Sequence, residues 1–361
     1  MQGASMSTYP IVRIFASDKQ GLAAVDELLA SEGIRRDAHL DYTCAMFKDG
    51  LAIATGSCYG NTLRCMAVAA EYQGEHLMNE VVTHLMDVES NRGIYHLFIY
   101  TKCTSAKYFA NLGFYEVARA QGVATLMENR HNGFSSYLAS LSKTRTTGGH
   151  ISAIVMNANP FTNGHLHLIK TAASTSDIVH VFVLSEDASV FPFSVRKKLV
   201  IEGVAGMNNI IVHDSGPYII SSATFPSYFF GDNASVAKGH AKLDIAVFCH
   251  IAKILGITER FCGEEPTSSV TAIYNAVMAD TLPRAGIKFT VIPRITTPSS
   301  KTTTGLGQEP ISASTVRQLL KVRDFKAIKP LVPPTTYAYL TSPAAIPILE
   351  RIKSRSDLIH H

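Results

Sequence analysis

Short apolar segments alternate with segments of helical periodicity throughout the second half of the chain. Each apolar segment precedes a predicted helix, and the segments are 151–156, 178–184, 210–213, 260–263 and 288–292. This alternation is typical of a parallel, doubly wound sheet. The second half is therefore predicted to be an α/β domain that binds its ligands at the carboxyl ends of five strands.

The first half of the chain has a different pattern, in which consecutive strands are predicted to pair with one another. Asp49 and Gly50 form a strong two-residue hairpin signal between the apolar segments 44–48 and 51–54. A helix is predicted at about 75–88, where apolar residues recur at helical spacing. The first half is therefore predicted to be an α+β domain with a mixed sheet and helices.

A polar and basic segment that contains glycine, 141–150, separates the two patterns. Because a chain of 361 residues is long for one domain, this segment is interpreted as a linker. We predict a first domain at 1–145 and a second at 146–361, with the core of the second at about 150–325.

Composition and charge exclude several classes of function. Hydrophobic residues make up 46% of the chain and charged residues 17%, as in globular proteins, and the net charge of +4 is too balanced to indicate nucleic-acid binding. No apolar run approaches the roughly 20 residues of a membrane span, and the N-terminus lacks the pattern of a secretory signal. The six cysteines form no CxxC pair, which favours reduced thiols. We expect a cytoplasmic protein without membrane or nucleic-acid partners.

The segment MNANPFTNGHLHLI, residues 156–169, joins the first strand of the second half to its helix through a polar turn. The turn lies at the carboxyl edge of the predicted sheet. Gly164 and His165 open the helix, where free backbone N–H groups and the positive end of the helix dipole attract phosphate. Gly164 allows close approach of a phosphate oxygen, and His165 can donate a hydrogen bond to one. His167 lies on another side of the helix, which favours packing or surface exposure.

Two short motifs connect the second half to a known superfamily. TNGH, residues 162–165, resembles the [HT]xGH motif of nucleotidyltransferases, and ISASTVR, residues 311–317, resembles their ISSTxxR motif at the head of the last helix. The resemblance implies a Rossmann-like sheet of the nucleotidyltransferase type that binds ATP. It places His165 and Thr162 at the α- and β-phosphates and Arg317 with Ser314 at the leaving pyrophosphate. The remaining nucleotide-binding candidates are Asn157, Asn159, Pro160, Phe161, Gly164, Ser312 and Thr315, of which Ser312 is a good N-cap.

Longer segments resemble the citrate lyase ligase family. They read FPFSVRKKL, YIISSATFPSYF, RFCGEEP and AIYNAVM, and they begin at residues 191, 218, 260 and 272. The resemblance implies an ATP-dependent ligase that forms acetyl-adenylate and then acetylates a thiol. That thiol belongs to a phosphoribosyl-dephospho-coenzyme A group on the acyl-carrier (γ) subunit of citrate lyase. Mg²⁺ is expected to bridge the ATP phosphates and to be held mainly by them and by water, with no protein-built metal site.

The same family carries an N-terminal acetyltransferase-like domain of the GNAT type. YHLFIYTKC, from residue 95, and YFANLGFYEV, from residue 108, resemble the last strand–helix–strand unit of that fold. The pyrophosphate-binding motif [QR]xxGx[GA] is replaced by EYQGEH at 71–76. Glu71 and His76 would repel or crowd a pyrophosphate. The domain is therefore expected to be degenerate and to lack acetyl-CoA chemistry of its own.

Further site candidates depend on position or on the family resemblance alone. Gly263, Glu264 and Glu265 follow the fourth strand, where a carboxylate could bind the ribose hydroxyls or be solvated in a loop. Arg196 could meet acetate or phosphate, or lie on a solvated helix face. Tyr274 and Asn275 are substrate-binding candidates by resemblance only. The aromatic-rich excursion 214–242 is long enough to shape the acceptor pocket or to meet the carrier.

Two other classes of enzyme remain open from the sequence. One is an adenylyltransferase that transfers AMP to a phosphorylated acceptor of the pantetheine or nicotinamide mononucleotide type. The other is an acetyl-CoA-dependent acetyltransferase in which the first domain is catalytic and the second is regulatory. The products formed from ATP and acetate distinguish these classes.

Overall fold

The chain forms two compact units. A computed structural model describes residues 9–219, 225, 226, 228, 232–264, 269–296 and 311–354. The first unit consists of the described residues up to Ser135 together with those of Pro226–Ala246, and the second consists of the other described residues. Among these residues, no helix is long and apolar enough to cross a lipid bilayer.

In the described part of the first unit, seven strands form a mixed sheet with the order β1-β2-β3-β4-β5-β7-β6. They are β1 (Ile11–Arg13), β2 (Tyr42–Lys48), β3 (Leu51–Tyr59), β4 (Thr62–Val68), β5 (Phe98–Thr101), β6 (Tyr115–Ala120) and β7 (Ala124–Glu128). The predicted hairpin joins β2 to β3, and Asp49 and Gly50 both have positive φ, at 51° and 81°. That backbone suits a tight hairpin turn, which explains the sequence signal.

Strands β4 and β5 are parallel and separate soon after they begin. Their pairing in the described chain is Thr62 with Phe98 and Leu63 with Ile99, although β4 continues to Val68. The sheet's other neighbouring strands pair antiparallel. The divergence leaves a gap in the sheet that opens toward the carboxyl ends of both strands.

Helices cover both faces of the mixed sheet. They are α1 (Lys19–Ser31), α2 (Leu77–Asn91) and the short α3 (Ala106–Asn111). The apolar stripe of α2, with Leu77, Val81 and Leu85, packs against β3. Gly56 of β3 permits this approach, because an added Cβ would lie 2.6 Å from the Val81 side chain. The apolar stripe of the helix predicted for 75–88 therefore forms the hydrophobic core on one face of the sheet.

Residue Tyr228 explains why a later segment belongs to the first unit. Its side chain is buried in a cluster with Val25 and Leu29 of α1, and its hydroxyl donates to the carbonyl of Tyr100 at 2.5 Å. Its own carbonyl accepts from the N–H of Arg35 at 2.8 Å. The predicted domain limits, 1–145 and 146–361, remain a prediction about folding domains. The compact units differ from them by this returning segment and by a first boundary after Ser135.

The described part of the second unit contains a sheet of five parallel strands with the order β10-β9-β8-β11-β12. They are β8 (Ile151–Met156), β9 (Ile178–Val183), β10 (Ile210–Asp214), β11 (Glu259–Gly263) and β12 (Lys288–Ile292). Each matches one predicted apolar segment within a few residues. The predicted fold class, a mixed sheet followed by a doubly wound parallel sheet, is confirmed.

The strands of the second unit are connected and followed by helices. These are α4 (Gly133–Ser142), α5 (Asn163–Thr175), α6 (Phe193–Gly203), α7 (Asn233–Leu255), α8 (Ser269–Arg284), α9 (Ala313–Lys321), α10 (Phe325–Ile328), α11 (Pro334–Leu340) and α12 (Ile346–Ser354). The chain passes between the two units within α4, between Phe225 and Pro226, and within α7. Helices α9 to α12 build an apolar cluster with Val190 and Phe191. The sequence pattern predicts α9 but not the three helices after it.

Candidate active site

The loop between β8 and α5 lies at the point where the parallel sheet changes direction. From β8 the chain moves outward through β9 to β10 and then returns to the other side of β8 through β11 and β12. The loop, residues 157–162, follows the carboxyl end of β8, and Gly263 ends the adjacent β11. Crevices at such switch points are the usual ligand sites of doubly wound sheets.

Thr162 and His165 form a reciprocal cap at the start of α5. The buried Thr162 is the N-cap, and its side chain accepts from the N–H of His165 at 3.4 Å. In return, the N–H of Thr162 donates to His165 Nδ1 at 3.1 Å, and the Thr162 hydroxyl lies 2.9 Å from the same nitrogen. Because Nδ1 accepts, the neutral ring carries its proton on Nε2. The cap therefore fixes His165 as a donor through Nε2.

The surroundings of His165 keep its imidazole neutral. Burial and the positive charge of Arg294 lower the pKa of His165 to about 4. The ring stacks on Phe161, with centroids 5.9 Å apart and planes at 13°. Since the side chain keeps partial exposure, the ring can meet a ligand. At neutral pH the site thus presents an uncharged N–H donor beside the helix N-terminus.

Gly164 brings the two sequence motifs together. An added Cβ would lie 3.3 Å from the carbonyl oxygen of Ile311, the residue before the N-cap of α9. The N–H of Ile311 in turn donates to the carbonyl of Ile295, in the segment after β12, at 3.0 Å. Gly164 therefore allows α5 and the head of α9 to pack closely, since a Cβ here would require the backbone at Ile311 to shift by a few tenths of an ångström.

Arg317 joins the head of α9 to the loop after β8. It is 3% exposed, its Nη1 donates to the carbonyl of Asn159 at 2.6 Å, and its Nη2 donates to Ser314 Oγ at 3.1 Å. Burial lowers its pKa to about 10, so it stays cationic at neutral pH. Ser312 caps α9 by accepting from the N–H of Thr315 at 3.0 Å, as the sequence indicates.

Arg196 has a structural environment in this site. It is fully buried, and its guanidinium donates to the carbonyls of Asn157 at 3.0 Å, Leu184 at 2.7 Å and Phe191 at 2.9 Å, and also to that of Glu186. These carbonyls belong to the loops after β8 and β9. The geometry gives Arg196 the role of holding the two loops together, and it provides no support for the predicted contact with acetate or phosphate or for a solvated helix face.

The other loop candidates also contact protein groups. Asn159 is buried, and its Oδ1 accepts from the N–H of Phe191 at 3.0 Å, while Asn157 Nδ2 donates to Ser189 Oγ at 3.0 Å. Phe161 is fully buried against Gly203 of α6, where an added Cβ would lie 2.5 Å from its ring. Pro160 is buried beside it. These residues shape the loop that presents Thr162, Gly164 and His165.

The candidates near β11 lie at the same edge of the sheet. Gly263 ends the strand, with open space where a Cβ would lie, and Glu264 is exposed next to it. Glu265 lies outside the described residues. Tyr274 and Asn275 are partly exposed on α8, and Asn275 Oδ1 is 3.5 Å from Cys262 Sγ on β11. A ribose-binding role for Glu264 stays a prediction.

Arg294 is a site residue that the sequence analysis missed. It follows β12 at the carboxyl edge of the sheet, its Nε donates to the carbonyl of Glu264 at 2.7 Å, and its charge acts on His165. The available signal was its position two residues after a predicted strand, in VIPRI. That signal is weak, because basic residues are common in exposed loops.

Comparison with known proteins identifies the family. Residues 151–340 match the citrate lyase ligase C-terminal domain. Over 334 residues the chain is 37% identical to the citrate (pro-3S)-lyase ligase of Escherichia coli K12, a match that covers 91% of this chain and 92% of that protein. The chain belongs to the citrate lyase ligase family. The ligase of Klebsiella pneumoniae is 35% identical, with 90% and 93% of the two chains covered.

Solved structures resemble parts of this ligase. An acyl-CoA N-acyltransferase from Pseudomonas aeruginosa covers 34% of this chain and 100% of its own, with 11% identity and a TM-score of 0.29. Thermotoga maritima TmcAL, bound with α-thio-ATP, covers 55% of this chain and 56% of its own, with 14% identity and a TM-score of 0.34. At these scores the likeness adds nothing to the fold described above.

Proposed function

We propose that this ligase activates acetate with ATP and acetylates the CoA-like prosthetic group of the citrate lyase acyl-carrier subunit. The observation that supports this most is the match to citrate (pro-3S)-lyase ligases over nine-tenths of the chain. The match does not favour the two alternatives, an adenylyltransferase with a phosphorylated acceptor and an acetyl-CoA-dependent acetyltransferase. Because ATP is its substrate, we also propose a cytoplasmic location.

The proposed reaction has two steps. An acetate oxygen attacks the α-phosphorus of ATP, the bond to the bridging oxygen of the β-phosphate breaks, and pyrophosphate leaves with that electron pair. The thiolate of the carrier then attacks the acetyl carbon, and AMP leaves. The first step depends mainly on positioning and on stabilisation of charge at the phosphates.

The residues of the second unit fit the first step. His165 Nε2–H and the backbone N–H groups at the start of α5 would donate to α- and β-phosphate oxygens, since both lie at the switch point. Thr162 would act by fixing the His165 tautomer. Ser314, at the head of α9, would serve the pyrophosphate end, and Arg317 would act there by holding Ser314 and the Asn159 loop in place.

Magnesium would enter this site with the nucleotide. Within the described ranges, no group of three or more His, Cys, Asp or Glu side chains is placed to hold a metal. A divalent ion bound by phosphate oxygens and water fits such a site, and it would offset phosphate charge.

A cavity in the first unit suits the carrier's prosthetic arm. It has a volume of about 760 Å³ and lies where β4 and β5 separate, next to the start of α2. Its wall combines apolar side chains such as Met66, Leu77 and Leu112 with the backbone around Gly74. His76 precedes α2 with a φ of 63° and lines the cavity. Because its ring would crowd a pyrophosphate, the cavity is proposed to receive the amide and thiol part of the arm.

Product analysis tests the ligase function. The whole enzyme with acetate, MgATP and citrate lyase carrier should give AMP, pyrophosphate and acetyl-thioester in equal amounts. Without carrier, it should catalyse acetate-dependent ATP–pyrophosphate exchange, and hydroxylamine should trap acetohydroxamate. A stable dinucleotide product would indicate the adenylyltransferase instead, and consumption of acetyl-CoA without ATP would indicate the acetyltransferase.

The same assay tests the cavity. Thr104→Trp adds bulk at an exposed position of the cavity wall, while Lys107→Trp adds it on α3 outside that wall. We expect Thr104→Trp to raise KM for the carrier about tenfold and to leave ATP–pyrophosphate exchange unchanged, because the arm is needed only in the second step. Equal KM values for the two variants would rule out docking of the arm in this cavity.

A further inference from the structure

Arg294 lies among three elements of the site in the second unit. Its Nε donates to the carbonyl of Glu264, directly after β11, at 2.7 Å. The next residue, Ile295, accepts from the N–H of Ile311, directly before the N-cap of α9, at 3.0 Å. The charge of Arg294 also acts on the imidazole of His165 in the first turn of α5. Arg294 is thereby placed where the two sequence motifs meet.

The other two arginines of this site are enclosed by protein. Arg196 is fully buried and donates to backbone carbonyls of the loops after β8 and β9. Arg317 is 3% exposed and donates to Asn159 and Ser314. Both guanidinium groups therefore hold parts of the protein together. Arg294 differs because it keeps partial exposure at the ligand edge of the sheet, two residues after β12.

We propose that Arg294 binds the triphosphate of ATP beside His165, and that Arg196 and Arg317 position the loops around it. The proposal rests on the ATP-dependent function given above and adds the cation that meets the phosphates. A guanidinium offers several donors in a fixed fork that matches phosphate oxygens. The neutral His165 and the cationic Arg294 then act as a pair, in which Arg294 supplies charge and His165 supplies a directed N–H.

Nucleotide binding to the whole enzyme tests this proposal without acetate or carrier. MgATP is titrated calorimetrically and adenosine by ligand-observed NMR, with the wild type, Arg294→Gln and Arg294→Lys. The matched control is Arg284→Gln, which removes an exposed arginine paired with Asp280 on α8.

We expect Arg294→Gln to weaken MgATP binding about tenfold or more, as for loss of a charge-assisted hydrogen bond. Adenosine binding should stay within about twofold, because it reports the intact nucleoside site. Arg294→Lys should lie between the two, since it keeps the charge without the fork. Unchanged MgATP affinity in Arg294→Gln overturns the proposal. An equal loss for MgATP and adenosine overturns it too, since that result shows general damage to the site.

Titration of His165 provides a second readout that a purely structural role would not change. The ring's hydrogen-bond and stacking neighbours, Thr162 and Phe161, carry no charge, and Arg294 acts on it from the segment after β12. Removing that positive charge in Arg294→Gln should raise the pKa of His165 from its value of about 4. The signal is measured by NMR with labelled histidine and assigned with His165→Ala. An unchanged pKa of His165 overturns the placement of Arg294 beside it.

Failure of this proposal is distinguishable from failure of the ligase function. An enzyme without acetate-dependent exchange would still report, through MgATP binding, whether Arg294 meets the phosphates. Conversely, normal exchange in Arg294→Gln at MgATP concentrations below the wild-type KM would leave the ligase function intact and overturn only the role of Arg294.

Discussion

At the scale of single residues, the candidate site holds one imidazole in a single protonation state. The cap with Thr162 fixes the proton of His165 on Nε2, and burial with Arg294 keeps the ring neutral. In the proposed reaction, this neutral donor would stabilise the charge that develops on the phosphate oxygens without adding a buried cation of its own. The adjacent positive charge would come from Arg294, because arginine stays protonated at all working pH values.

His165→Ala should abolish most adenylate formation. Removing a preorganised donor of this kind typically costs about 10²–10³ in rate, and the loss should appear in kcat because the donor acts on developing charge. The measurement is acetate-dependent ATP–pyrophosphate exchange. His167→Ala, two residues later on α5, is the matched control and should retain near-wild-type exchange. Comparable exchange rates in the two variants would remove His165 from the assigned role.

At the scale of elements, the site is built from loops that need a common support. The loops after β8 and β9 are joined by Arg196, whose donors reach carbonyls in both of them. The loop after β8 is joined to α9 by Arg317. Two buried arginines thus supply donors to backbone carbonyls of these irregular segments, in addition to the direct hydrogen bonds between the loops.

Arg196→Ala should destabilise the whole protein strongly. It would leave several buried carbonyls without donors, and each unsatisfied group costs about 1–3 kcal/mol, so a loss of at least about 3 kcal/mol is expected. Urea denaturation measures the free energy of unfolding. Lys198→Ala changes an exposed residue of the same helix, paired with Glu202 at 3.7 Å, and should cost below about 1 kcal/mol. Similar stabilities for the two variants would contradict the role of Arg196.

At the scale of the whole molecule, stability should depend on pH through a buried histidine pair. His180 of β9 and His213 of β10 are buried, with Nδ1 of the first 2.8 Å from Nε2 of the second. Burial is the largest cause that lowers the pKa of each to about 4. In the unfolded chain these rings have an ordinary pKa of about 6.5. The folded state therefore excludes protons that the unfolded state takes up.

The free energy of unfolding should be constant above about pH 6.5 and fall as the pH is lowered from there toward 4. Each proton taken up by the unfolded chain alone contributes a slope of about 1.4 kcal/mol per pH unit. His165, with its pKa also lowered to about 4, adds to the same slope. His213→Gln removes one of these three rings, so the slope should become smaller than in the wild type. Denaturation at several pH values measures it. An equal slope in the two proteins would show that other groups control the acid instability.

Local patterns in the sequence were sufficient for most of the elements. The five apolar segments of the parallel sheet, the Asp49–Gly50 hairpin and the helix-opening turn at 162–165 each depend on residues close in sequence. Periodicity, turn chemistry and capping are properties of such short windows. The capping role of Ser312 was predicted for the same reason.

Only the tertiary structure decided what the side chains of the site contact. Arg317 meets Asn159 across 158 positions of sequence, Gly164 meets Ile311, Arg294 acts on His165, and Tyr228 returns to the first unit. The burial of Arg196 likewise depends on carbonyls from two separate loops. The sequence shows an arginine at the start of a helix but not the groups that surround it. Those groups come together only when the sheet order places the carboxyl ends of distant strands side by side.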